Sequence, residues 1–126
     1  MTSREKLKMF HTLKGKLVDS RLKKAGIKSP HYCHEKDIRA IEAWDAKKCD
    51  KTWRLLKKEL SDFSTITVAC IFCVANYNGY GCMECEWAMN HGGPCSYYGS
   101  EYDYTSKIVD ALTEKDYQKI LKKCEV

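Results

Sequence analysis

Five of the chain's eight cysteines fall between positions 70 and 95, which read CIFCVANYNGYGCMECEWAMNHGGPC. Cys70-x2-Cys73 is followed by Cys82-x2-Cys85, and then by His91 and Cys95. A CxxC pair offers two thiolates from one tight piece of backbone, and two such pairs can close a tetrahedron around a single zinc ion. The simplest ligand set is Cys70, Cys73, Cys82 and Cys85. Four thiolates leave no position for water, so such a site is structural rather than catalytic. Three alternatives stay open: Cys95 replacing one of the four, His91 joining Cys82, Cys85 and Cys95, or an iron–sulfur cluster on the same thiolates. Buried free thiols are the competing explanation. That suits Cys124, on an apolar helix face, and Cys49 better than it suits four cysteines in paired spacing.

A second group, His31, Cys33, His34 and Cys49, follows no known ligand spacing and reads as surface or packing residues. Cys33 and His34 are adjacent, so they are poorly placed to act as a nucleophile–base pair. Walker, dinucleotide-binding, HExxH and nucleophile-elbow patterns are missing. Cys82-Met-Glu-Cys85 has the bare spacing of a redox motif. It lacks the intervening proline and the βαβ surroundings, and Glu84 and Glu86 disfavour a low-pKa thiolate. The expectation is therefore a non-enzymatic protein, with redox or metal-dependent catalysis ranked last.

Stepping out from the cysteines, 22 basic residues face 17 acidic ones, for a formal charge of +5. Residues 1–60 hold seventeen Lys and Arg against eight acids, and residues 61–126 hold five against nine. The basic front half suggests an anionic partner, with Lys14, Lys16, Arg21, Lys23, Lys24, Lys57 and Lys58 as the residues that would meet nucleic-acid phosphates. Alternatively, these are ordinary solvated lysines. The first twenty residues are charged throughout and do not read as a signal peptide, and no apolar run reaches membrane-spanning length. A reducing cytoplasmic setting follows, with thiols rather than disulfides.

The elements that must position these residues are helices. Ser3 to about Lys24 carries an apolar stripe of Leu7, Phe10, Leu13, Leu17 and Leu22, widened by Met9 and Val18, with Gly15 weakening the middle and Gly26 as the stop. A second helix is expected from Tyr32 or Glu35 to Lys48, using Ile38, Ala40, Ile41 and Trp44. Asp50 is expected to cap a third, with Trp53, Leu56, Leu60 and Phe63 inward. Residues 64–74 fit either a strand or a helix, and their unbroken register favours a helix reaching the metal. A loop follows from Asn76, then a short helix within 82–90 with Trp87 or Met89 inward, a turn at 91–95 and a Tyr-rich loop at 96–104. A helix is expected over 106–112. Thr113-x-x-Asp116 then opens a last helix with Tyr117, Ile120, Leu121 and Cys124 on one side. The fold expected is one mostly α domain over 1–126. It comprises a basic helical part (1–63), a zinc-knuckle-like Cys-rich insertion (64–104) and C-terminal helices (105–126).

The segment from Cys70 through Cys95 to Gly99-Ser100-Glu101-Tyr102 resembles small uncharacterised phage and prokaryotic proteins with two CxxC pairs, a further Cys and a Ser-x-Tyr turn. Here Glu86 and Trp87 follow the second pair, where those proteins often have Pro, and Glu101 precedes Tyr102. The resemblance covers about a quarter of the chain. It implies a metal-organised small protein of phage-like type, and brings no activity with it. Two functions then compete. One is a nucleic-acid binding module working through the basic helices. The other is a protein-binding inhibitor or adaptor, acting on a nucleic-acid machine through Trp87, Tyr97, Tyr98, Tyr102 and Tyr104.

Overall fold

The computed structural model describes residues 1–28, 32–61, 70–76, 85–91 and 111–125. Among these there are six helices and no strand: α1 (Ser3–Lys24), α2 (Glu35–Ala43), α3 (Ala46–Ser61), α4 (Ile71–Ala75), α5 (Glu86–Asn90) and α6 (Glu114–Cys124). The helical class expected from the sequence is the class observed. None of these helices is long and apolar enough to cross a membrane.

α1 is the central element, packing on α2, α3 and α6. Its start is fixed by a capping box, in which Thr2 Oγ1 accepts from the Glu5 N–H and Glu5 reaches back to the Thr2 N–H. Its end is a Schellman turn. Gly26, at φ 74°, donates to the Lys23 carbonyl, and Ile27 donates to Leu22. The buried stripe is Leu7, Phe10, His11, Lys14, Gly15, Val18 and Leu22. Leu13 and Leu17, expected in that stripe, are only partly buried. Gly15 is no mere weak point. A Cβ there would lie 2.5 Å from Cys33 Cβ, so only glycine lets the chain entering α2 approach α1 this closely.

The expected single helix to Lys48 is two helices. Trp44 is extended, at ψ 145°, and ends α2. Asp45, not Asp50, caps α3: its Oδ1 accepts from the Lys48 N–H at 2.8 Å, and its carbonyl accepts from Cys49. Asp50 lies one turn inside α3. Along α3 the buried face is Cys49, Thr52, Trp53, Leu56 and Leu60. α4 packs on α3 and α5 on α2. Cys70 is extended, so α4 is a new helix, and Ile71, Phe72 and Val74 are its buried side. Within α5, Trp87 turns inward while Met89 is exposed. The expected 106–112 helix lies mostly outside the described residues, as does most of the Cys-rich loop. The Thr113–Asp116 capping box forms as expected and opens α6, which buries Tyr117, Ile120 and Cys124.

The core is aromatic. Phe10 meets Trp53 edge-on at 6.4 Å and stacks with Tyr117 at 6.5 Å, joining α1 to α3 and α6. Arg21 on α1 also grips Asp116 on α6 through two bonds of 3.0 and 2.9 Å.

Candidate functional site

The cysteines that the sequence marks for a metal open short helices. Cys70 stands at the start of α4, with Cys73 one turn on and exposed. Cys85 opens α5, and its Sγ accepts from the Ala88 N–H at 3.4 Å. One carboxylate ties the start of α5 to the far end of α4, at Asn76, and to the α2–α3 junction. Glu86 accepts from Asn76 Nδ2 at 2.6 Å and from Trp44 Nε1 at 2.9 Å, with Lys48 Nζ at 3.7 Å. Cys82 and Cys95 lie outside the described residues. Among the described residues, no three His, Cys, Asp or Glu side chains gather as a metal-holding group.

Below this segment lies a buried polar cluster that sequence reasoning missed. Asp37, on α2, is fully buried. Its Oδ2 receives His11 Nε2 from α1 at 3.0 Å and His91 Nε2, just past α5, at 2.9 Å. Its Oδ1 receives Asn90 Nδ2 at 2.9 Å. A carboxylate only accepts, so both rings carry a proton on Nε2. Burial works against the Asp37 charge, but the His11 and His91 bonds outweigh it and hold the carboxyl well below the usual carboxylate range. Burial lowers the His11 value, against the pull of Asp37. Trp87 stacks flat on His91 at 4.0 Å, and His34 meets the same ring edge-on at 4.2 Å. The signal for this cluster was positional: His11 and Lys14 follow Leu7 by four and seven residues, and Asp37 precedes Ile41 by four. They are polar residues in apolar register.

The cluster is a tie, not a catalytic site. His11, Asp37 and His91 are each at most 5% exposed, so no substrate reaches them. His91, the alternate metal ligand, has its Nε2 engaged by Asp37. The neighbouring Cys33 thiol is pushed up to about 11, chiefly by burial and then by the Asp37 charge, so it is not an activated nucleophile. Cys49 and Cys124 are buried core thiols, as expected.

The structure redistributes the candidate phosphate contacts. Lys14 is 1% exposed, with its Nζ 5.4 Å from the Tyr32 ring centre and 5.8 Å from that of Tyr117, so it cannot face a phosphate. Arg21 is bound to Asp116, and Lys57 lies 3.6 Å from Glu125. Lys16, Lys23, Lys24 and Lys58 remain exposed. On α1, however, the outer surface is mixed, with Glu5, Met9 and Ser20 also exposed.

α3 differs. Lys47, Lys51, Arg54 and Lys58 are all exposed and recur at spacings of four, three and four. At 3.6 residues per turn they share an arc of about 60°, directly opposite the buried face, and run along about 16 Å of helix. Asp50 and Glu59 fall on the flanks of that arc rather than within it. None of the four makes an ion pair with a described residue, whereas Lys6, Lys8, Arg21, Arg39, Lys48 and Lys57 each lie within 4 Å of an acid. Of the proposed protein-binding anchors, Trp87 is 3% exposed and withdrawn into the core, and the four tyrosines lie outside the described residues. Comparison with protein families, curated proteins and solved structures finds no match to this chain.

Proposed function

We propose that this protein is a non-enzymatic module that binds the phosphate backbone of nucleic acid with the outward crest of α3. The observation that carries the reading is the row Lys47, Lys51, Arg54 and Lys58: four uncommitted cations on one line, with the acids displaced to either side. Such a row neutralises successive phosphates and releases their counterions, the main source of sequence-independent affinity. The Cys-rich segment stiffens the fold by holding zinc on Cys70, Cys73, Cys82 and Cys85. Cys70 and Cys73 on α4 and Cys85 at the start of α5 would supply three of the four thiolates, and the Asn76–Glu86 bond ties the two helices to each other.

The test is binding to a short duplex of arbitrary sequence, followed by fluorescence anisotropy at low salt. Replacing the four crest residues together with glutamine is expected to weaken binding at least about tenfold without loss of helicity. Equal affinity of this variant and the wild type would overturn the reading. One zinc per chain in native mass spectrometry, lost on Cys70→Ser with Cys73→Ser, supports the metal; a folded metal-free protein indifferent to chelator contradicts it.

A further inference from the structure

α6 repeats the pattern of α3. Its buried side is Tyr117, Ile120 and Cys124. Lys115, Lys119 and Lys122, at spacings of four and three, share an arc of about 60° on the opposite side. All three are exposed and make no ion pair with a described residue. The acids of α6 stand off this arc. Asp116 is bound to Arg21, Glu125 lies near Lys6 and Lys57, and Glu114 is in the first turn.

α1, α3 and α6 each pack on the other two. Three helices that all touch form a triangle, and the crests on two of them point outward in diverging directions. The seam between α3 and α6 is closed by Gln118 Nε2 donating to the Leu60 carbonyl at 3.3 Å and by the Lys57–Glu125 pair. Glu125 thus places an acid between the two rows. A duplex is a straight rod at this scale, since its persistence length is about 50 nm, so it cannot bend around the seam to meet both crests.

We infer that α6 is a second and separate backbone contact, so that one copy of the chain joins two nucleic-acid duplexes. This rests on the reading of α3 above. Duplex is favoured over single strand because the aromatic residues of the two helices, Trp53 and Tyr117, are each 4% exposed, so neither crest presents a ring on which bases could stack. An anionic membrane fits less well, because neither crest is bordered by the apolar face that would enter the headgroup region.

The test immobilises one biotinylated duplex on beads, loads the protein, washes, and adds a second, fluorescent duplex of unrelated sequence. Wild-type protein is expected to retain the second duplex. The variant Lys115→Gln, Lys119→Gln and Lys122→Gln is expected to bind the first duplex within about threefold of wild type, yet to retain the second only at background. Capture by this variant at the wild-type level overturns the inference, since a dimer joining duplexes through two α3 crests would behave that way. A large loss of first-duplex binding in the same variant also overturns it, because α6 would then belong to one shared surface. Wild type that holds the first duplex and never the second removes the bridging and leaves the α3 reading intact. No binding of the first duplex removes both.

Discussion

At Asp37, burial alone would favour the protonated acid, and two imidazole donors reverse that balance. His11 is pulled the other way, towards neutrality, because burial disfavours its cation more than Asp37 supports it. Both shifts are downward, so the folded state binds fewer protons than the unfolded one. Stability is then lost as pH falls. The His11 contribution is complete above its ordinary value of 6.5 and declines below it. The Asp37 contribution is complete above 3.8 and declines further down. The melting temperature is expected to fall between pH 7 and pH 5. His11→Gln, which keeps a donor but cannot titrate there, should flatten that slope, and an unchanged slope in the variant would contradict the assignment. Asp37→Ala strands His11, His91 and Asn90 together and is expected to cost about 3 kcal/mol at pH 7 in denaturant unfolding. A cost within error of zero would mean that the cluster holds nothing.

Among the elements, those set by local chemistry were readable in advance, and those set by distant partners were not. The extent of α1, the Gly26 stop and the Thr113 cap all depend on residues within one turn, and each is where the sequence puts it. The break at Trp44 was missed because the apolar spacing of Ile38, Ile41 and Trp44 runs straight through it. What holds Trp44 extended is distant: its indole N–H reaches Glu86, and Arg4 donates to its carbonyl. His11 and Lys14 were missed for a related reason. A polar residue in an apolar stripe declares itself only when its partners, Asp37 for one and the Tyr32 and Tyr117 rings for the other, are known. Gly15 shows local and distant terms opposed. Alanine would gain about 1 kcal/mol of helix propensity, yet its Cβ would press on Cys33. Gly15→Ala is expected to lose about 1 to 2 kcal/mol net in thermal unfolding, and a variant as stable as wild type would show that the α1–α2 approach has slack.

Taken whole, the molecule sorts its charges more finely than the basic-front, acidic-back division in the sequence suggests. Cations beside the core are matched with acids or rings, as Arg21, Lys48 and Lys14 are. Those on the outward crests of α3 and α6 are left facing solvent. Of the seven basic residues singled out in the sequence, Lys14 is buried, Arg21 and Lys57 lie beside acids, and Lys16, Lys23, Lys24 and Lys58 are exposed. Only Lys58, of the seven candidates, stands on the α3 crest.

The most direct measurement is the affinity for a short duplex as a function of salt. Four phosphates neutralised on α3 predict a log–log slope of about −3.6 for the wild type, shallower by about one in the variant with Lys47, Lys51, Arg54 and Lys58 all changed to glutamine, where the three cations of the α6 crest carry the remaining binding. A wild-type slope near zero, or an identical slope in that variant, would contradict the account.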